Sequence, residues 1–306
     1  MVKRLLVTGV HGFVGQALAR MLDEPAWSSR FALLDTPAAL DICDVASVST
    51  WVAAAAPDAV IHLAAQSFVP DAFRNPAATL RVNVLGTLNL LQALRDASFR
   101  GRVVYVGTGD VYGRVPPDAL PVAETYPALP RNPYAVSKFA AEALCRQWTI
   151  TDGMDIVLAR PFNHIGPGQS DRFVVSDFAR RVAEIRAGAR SPVVRTGDVD
   201  VTRDFTDVRD VVRAYFALLD NGMKGETYNV CSGCETAVRA ILARLAAIAG
   251  VVVSVETDAT RLRAAEQRRM CGDPAKIRAH TGWEATTPLD ASLSGMLDHW
   301  GSEARR

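Results

Sequence analysis

The 306-residue sequence predicts an α/β protein, a doubly wound parallel sheet with a smaller mixed α/β lobe toward the C-terminus. Three observations predict it. Short apolar runs alternate with helical segments up to Arg160, the pattern of a parallel sheet covered by helices on both faces. A glycine-rich loop joins the first apolar run to the first helical segment. Beyond Arg160 the alternation gives way to loop and mixed pieces, as in a lobe closing over the carboxyl ends of the strands. The expected division places residues 1–160, with a returning segment near 205–231, in the nucleotide-binding domain. Residues 161–204 and 232–306 then form the substrate-binding lobe.

Each element has its own reason. Lys3 to Thr8 reads as a buried strand, and Phe13 to Leu22 as a helix with apolar residues at helical spacing. Phe31 to Leu34 is a second short strand. Val48 to Ala56 is helical until Pro57 stops it. Ala59 to Leu63 is a third strand. Asn75 to Ala97 reads as one long helix with Pro76 in its first turn, where proline is tolerated. Arg102 to Val106 is a fourth strand, Pro133 to Ile150 a helix and Met154 to Ala159 a fifth strand. Thr227 to Val230 is expected to return to the sheet.

Composition sets the bounds. The formal charge of +1 gives no electrostatic footprint for nucleic acid or an anionic membrane surface. No run of about 18 apolar residues suggests a membrane span. The first strand starts near Met1, so no signal peptide is expected and a cytoplasmic location is. The five cysteines suit buried, reduced thiols. Cys231 and Cys234 form a C-x-x-C, but no second ligand pair with zinc spacing follows, so no metal site is expected.

The loop Thr8-Gly9-Val10-His11-Gly12-Phe13-Val14-Gly15 fits a dinucleotide of the Rossmann type. Gly9 allows the tight turn, Gly12 the approach of pyrophosphate, and Gly15 close helix–sheet packing. The helix start at Phe13 and Val14 then faces the phosphates. Asp35, about 20 residues on, stands where an acid meets a ribose 2′-hydroxyl. No arginine follows it to receive a 2′-phosphate, which leans toward NADH over NADPH, although Asp35 could equally cap a turn. Asp41 and Ile42 are expected to flank the adenine. Leu63, Ala64 and Ala65, at the end of the third strand, are small enough for a ribose to lie against backbone, or simply to pack tightly.

Tyr134 and Lys138 lie one helical turn apart, so phenol and ammonium share a face. The lysine charge is expected to lower the tyrosine pKa toward working pH. A tyrosine tuned this way exchanges a proton with a carbinol or carbonyl oxygen.

Together these residues resemble the extended short-chain dehydrogenase/reductase family, along essentially the whole chain. The glycine loop, the Tyr134 and Lys138 pair, and Thr108 four residues before Tyr112-Gly113 match in order and spacing. Further motifs are similar to one branch, the enzymes acting on GDP-4-keto-6-deoxy-D-mannose. They are Ala65 to Pro70 (A-Q-S-F-V-P), Gly109 to Gly113, Arg131 to Tyr134, Arg160 to Gln169 (R-P-F-N-H-I-G-P-G-Q), Val201 to Phe205 and Asn229 to Gly233. The resemblance implies reduction of the C4 ketone to GDP-D-rhamnose, with NADPH or NADH. It also leaves open GDP-6-deoxy-D-talose as product, or a GDP-6-deoxy-4-keto-heptose as substrate, since pockets discriminate poorly against small additions.

The resemblance also implies roles. Thr108 would bind the sugar carbonyl oxygen, Tyr134 would donate the proton, and Lys138 would bind the nicotinamide ribose. Asn163 would contact the nucleotide-sugar, Arg203 and Arg263 would grip the diphosphate, and Gln66 and Ser67 would lie near the hexose. Plainer readings stand beside these. Asn163 could bridge loop backbone. Arg203 could be an ion-pair partner among Asp200, Asp204 and Asp207, and Arg263 part of a solvated basic run, Arg261 to Arg269. His62 reads as packed in its apolar strand, and His164 has no derivable role. A homodimer through the helices matching Asn75–Ala97 and Pro133–Ile150 is implied by the family alone.

Related dehydratases and epimerases share this scaffold. The dehydratases carry a glutamate two residues after the threonine to take the C5 proton. Here that position is Asp110, one methylene shorter, and Gly109 before it has no side chain. A misplaced base loses orders of magnitude in rate, so the reading is a reductase. A non-catalytic nucleotide sensor would be expected to lose Tyr134 or Lys138, and both are present.

Overall fold

The computed structural model describes residues 1–258 and 267–303. Six parallel strands form its central sheet in the order β2-β1-β3-β4-β5-β9. These are β1 (Lys3–Thr8), β2 (Phe31–Leu33), β3 (Ala59–His62), β4 (Arg102–Val106), β5 (Asp155–Pro161) and β9 (Thr227–Val230). The chain passes from β1 to β2 on one side and returns to β3 on the other. The crevice beyond the carboxyl ends of β1 and β3 is therefore the switch point where such sheets bind ligands. Register aligns those ends: Thr8 stands opposite His62, and Val106 opposite Ala159.

Alternation along β1 shows why both faces are covered. Leu5 and Val7 pack with α1 (Phe13–Leu22) and α9 (Val208–Asn221). Leu6 points the other way, among side chains of α3 (Val45–Ala55), α6 (Gly86–Asp96) and α7 (Pro133–Thr151). A short α2 (Pro25–Ser28) precedes β2, and α4 (Val69–Arg74) and α5 (Pro76–Leu80) precede α6. In the lobe, α8 (Val174–Arg186), α10 (Val238–Ala249) and α12 (Leu289–Glu303) share a third core. Two small sheets accompany them. One is β10-β8-β6 (Glu235–Ala237, Thr202–Asp207, Asn163–Ile165); the other pairs β11 (Ser254–Thr257) with β7 (Val193–Thr196).

Three details differ from the sequence reading. The long helix expected over Asn75–Ala97 is broken by a π-helical turn at Arg81–Leu85. That turn carries Asn83 inward, where its amide serves the backbone of Gln66 and the hydroxyl of Ser137. Helix α3 starts three residues earlier than expected, because the Asp44 carboxylate accepts from Ala46 N and Ser47 N at its N-cap. Finally, Ile277 on α11 (Ala275–Thr281) and the nearby Trp283 pack into the core shared by α1 and α9, although residues 232–306 were expected in the lobe.

A buried ion pair ties α7 to β5. Glu142, one turn after Lys138, receives Arg160 Nε at 2.9 Å and Nη2 at 2.7 Å, and the guanidinium lies 4.8 Å from the Tyr112 ring centroid. Removing one partner would strand the other charge. Glu142→Ala is expected to lower unfolding free energy by about 3–5 kcal/mol, measured by urea denaturation.

Candidate active site

The strand ends open into a cleft of about 1440 Å³ between the sheet and the lobe. This is larger than the roughly 300–1,000 Å³ of a single small-ligand site. Its floor at one end is the glycine loop. Gly9 has φ +72°, and a Cβ there would lie 2.9 Å from Ala64 N. A Cβ on Gly15 would lie 2.4 Å from Gly9 O. Gly12 N-caps α1 without any side-chain cap, and Gly12, Phe13, Val14 and Gly15 line the cleft. An uncapped helix start facing a glycine cradle suits a pyrophosphate. Leu63, Ala64 and Ala65 form the adjoining wall.

Thr108 lies two residues beyond β4, and Tyr134 and Lys138 lie on the first turns of α7, which Asn132 caps by accepting from Ala135 N at 2.7 Å. All three line the same cleft. The Thr108 hydroxyl accepts from Asp110 N at 3.2 Å and faces the phenol of Tyr134. Burial, with the Asp110 carboxylate second, pushes the Tyr134 pKa above its ordinary value, and the Thr108 bond only partly offsets this. This corrects the expectation that Lys138 holds the tyrosine down. Burial lowers Lys138 itself to about 8, and its ammonium sits 4.8 Å from the centroid of the Tyr105 ring. A phenol with a raised pKa keeps its proton at neutral pH, the state an acid needs before it donates.

A buried hydrogen-bond chain fixes this pair against the glycine loop. Burial, with the Lys138 charge second, pushes His62 down to about 3, so its ring is neutral. Thr87 donates to Asn83 O at 2.7 Å and so accepts from His62 Nε2 at 2.9 Å. Nδ1 then accepts from the Thr8 hydroxyl at 2.6 Å, and Thr8 Oγ1 in turn accepts from Ala64 N. Asn83 donates to Ser137 Oγ at 2.8 Å, and Ser137 donates to Tyr134 O at 2.7 Å. The packed reading of His62 therefore holds.

The other expected site residues divide. Ser67, Asn163 and Arg203 line the cleft. Two of the three carboxylates around Arg203 are buried, and all three have other partners: Asp204 holds Ser232 and Gly233, Asp207 holds Arg209 and Ser292, and Asp200 holds Arg239. Gln66 does not line the cleft, because its amide donates to Phe68 O and accepts from Thr79. Asp41 and Ile42 do not line it either. The Asp41 carboxylate accepts from Cys43 N in its own turn, while Ile42 is buried against Gly86. Asp35 stands exposed two residues beyond β2, its carbonyl accepting from Trp51 Nε1. Arg263 lies outside the described residues. His164 lines the cleft with its ring stacked on Phe13, centroids 6.1 Å apart.

Several lining residues escaped the sequence reading. Phe68, Arg172 and Phe173 meet across one wall, with the Arg172 guanidinium 3.9 Å from the Phe68 ring centroid. Arg181, Thr196, Gly197 and Asp198 line the lobe end. Nothing in their local spacing marks them. Tyr215 also reaches the cleft from inside an amphipathic helix. The five cysteines are free thiols, with Cys145, Cys231 and Cys271 buried. Among the described residues no group of His, Cys, Asp and Glu could hold a metal ion.

The dinucleotide cradle and the tyrosine helix across from it define an oxidoreductase of the short-chain type. The model of the family described as GDP-mannose 4,6 dehydratase matches residues 36–296, and the chain belongs to that family, within the extended short-chain dehydrogenases/reductases. It is 48% identical to GDP-6-deoxy-D-mannose reductase from Pseudomonas aeruginosa over 306 residues, covering 100% of this chain and 99% of that one. The structure of RMD from Pseudomonas aeruginosa complexed with NADPH is similar, with TM-score 0.93, 47% identity and coverage of 99% of this chain and 100% of that chain. GDP-6-deoxy-D-talose 4-dehydrogenase from Aggregatibacter actinomycetemcomitans is 29% identical over 275 residues, 90% of each chain.

Two outcomes are expected. Tyr134→Phe should cut kcat by about 10²–10⁴-fold while cofactor affinity, read by fluorescence titration, stays nearly unchanged. The Lys138 ammonium is present below about pH 8 and lost above it, so kcat/KM should fall as pH rises through about 8. Lys138→Met should remove that limb from the profile.

Proposed function

We propose that the protein reduces the C4 ketone of GDP-4-keto-6-deoxy-D-mannose to GDP-D-rhamnose, with NADPH or NADH as reductant. The observation that carries this reading is full-length likeness to a GDP-6-deoxy-D-mannose reductase, with Thr108, Tyr134 and Lys138 together in one cleft. The reduced nicotinamide supplies the hydride when bound. Tyr134 holds a proton beside the Thr108 hydroxyl and delivers it to the C4 oxygen. Thr108 orients that oxygen and polarises the ketone. Lys138 carries positive charge at the foot of the tyrosine and binds the nicotinamide ribose. Ser67 and Asn163 hold the sugar, and Arg203 and Arg263 its diphosphate.

Dehydration is disfavoured by the same geometry. Gly109 offers no side chain, and a Cβ there would lie 3.1 Å from the Phe162 ring. Asp110 lines the cleft but is one methylene short of the dehydratase glutamate.

For the cofactor, the exposed Asp35 favours a free 2′-hydroxyl, while the RMD of Pseudomonas aeruginosa was solved with NADPH. We assign residues 1–160 and 205–231 to cofactor binding and most of the remainder to the nucleotide-sugar. A cytoplasmic location suits a nucleotide-sugar enzyme. No described helix is long and apolar enough to cross a membrane. Homodimer formation is supported by apolar side chains exposed beside α7: Leu80 on α5 and Leu85 on the π turn.

Mixing the protein with GDP-4-keto-6-deoxy-D-mannose and following NADH and NADPH absorbance separately should give stoichiometric oxidation, and NMR of the product should show the C4 configuration of rhamnose. The talo configuration would move the product to GDP-6-deoxy-D-talose. No oxidation with either cofactor would sink the hexose reading. For the dimer, Leu80→Asp with Leu85→Asp should halve the mass seen by light scattering without loss of helical signal.

A further inference from the structure

Tyr215 sits on the middle of α9 and is completely buried. It belongs to the core shared with α1, which also holds Val7, Val106 and Ala159. Its hydroxyl oxygen is buried and has no hydrogen-bond partner among the described residues. Buried hydroxyls without a partner are rare, and each one calls for an explanation such as a missing ligand or water. Three other buried tyrosines show the ordinary case. Tyr105 donates to Lys138 O at 3.0 Å, Tyr112 donates to Asn229 Oδ1 at 2.6 Å, and Tyr228 pairs with Met223 N and His280. A phenylalanine at 215 would fill the same apolar space, as Phe216 beside it does.

The place of this hydroxyl supplies a use for it. Tyr215 belongs to the wall of the cleft, together with Gly9, Phe13, Gly107, Pro161 and Tyr134. Helix α9 runs beneath α1, and near its start Val208 meets Gly166 at the tip of the Phe13 ring. Tyr215 thus reaches the cleft wall from the face of the sheet that also carries α1 and the glycine loop. Burial and the nearby Tyr134 push its pKa up, so it stays a neutral donor and acceptor at any working pH.

We propose that the Tyr215 hydroxyl forms a hydrogen bond to the nicotinamide riboside half of the bound dinucleotide, directly or through one water, and holds that half beneath Tyr134. The inference rests on the cofactor reading above. It makes Tyr215 a cofactor-contact residue that no feature of the sequence reading had marked. The unpaired hydroxyl burdens the protein alone and finds its partner only on loading, so it ties affinity to the reactive end of the cofactor.

The test is Tyr215→Phe, which keeps the ring and its packing. Dissociation constants for NADPH and NADH are measured by fluorescence titration. They are compared with those of the fragments lacking nicotinamide riboside, adenosine 2′,5′-bisphosphate and ADP. The expected result is a loss of about 3- to 10-fold in affinity for the whole cofactor, the size of one net hydrogen bond, with fragment affinity unchanged. The melting temperature of the cofactor-free variant should equal or exceed that of the parent, whereas the rise on adding cofactor should shrink. Unchanged cofactor affinity in the variant would overturn the proposal, and so would an equal loss for whole cofactor and fragment. A lower melting temperature of the cofactor-free variant, with affinity intact, would make the hydroxyl structural and overturn it as well. A parent protein that binds neither dinucleotide would remove the cofactor reading and this inference with it.

Discussion

The buried hydrogen-bond chain from Thr8 through His62, Thr87, Asn83 and Ser137 to the backbone of Tyr134 is the constraint on which the site depends. It begins where β1 enters the glycine loop and ends at the first turn of α7. Each hydroxyl donates in one direction, and the neutral imidazole sets that direction. A protonated His62 would place a second donor against Thr8, and burial beside the Lys138 charge prevents it. Because every member is satisfied inside the core, the chain resists rearrangement, and the loop and the tyrosine helix hold one mutual position.

That rigidity supports the role proposed for Tyr134 as the acid. Its phenol is held beside the Thr108 hydroxyl in a partly buried site with the Asp110 carboxylate near it. Both burial and the carboxylate favour the protonated form. For the proposed reduction this is the useful state, since the group that would receive the proton is an alkoxide forming at C4. Burial lowers the pKa of Lys138 itself and its ammonium rests on the Tyr105 ring, so burial and Asp110, not the lysine charge, set the tyrosine pKa.

The lobe is organised by carboxylates that look like surface charges in the sequence. Asp204 is fully buried and gathers Ser232, Gly233 and Gly272, so the strand carrying Arg203 is tied to two separate loops. Outside the lobe, Asp210 on α9 likewise receives Thr287 N, and its carbonyl receives Trp283 Nε1. Buried carboxylates surrounded by donors fix loop positions while leaving the cleft wall to other side chains.

By itself the sequence determined the parallel sheet, the glycine cradle, the Thr108, Tyr134 and Lys138 trio and the reductive reading. The sheet, the cradle and the Tyr134–Lys138 pair depend on local periodicity or on spacing within a single turn or loop, whereas Thr108 and the reductive reading came from the family resemblance. The tertiary structure decided the rest. It turned Gln66 inward, put Ile42 in the core, broke the helix at Arg81–Leu85 so that Asn83 could reach Ser137, and carried Tyr215 to the cleft from beneath the sheet. These outcomes depend on partners tens of residues away, and a side chain with a satisfied local role looks the same in sequence as one aimed at a ligand. The tyrosine's acidity belongs to the same group. Burial sets it, and burial is a property of the packed chain rather than of the four-residue spacing that places Lys138 beside it.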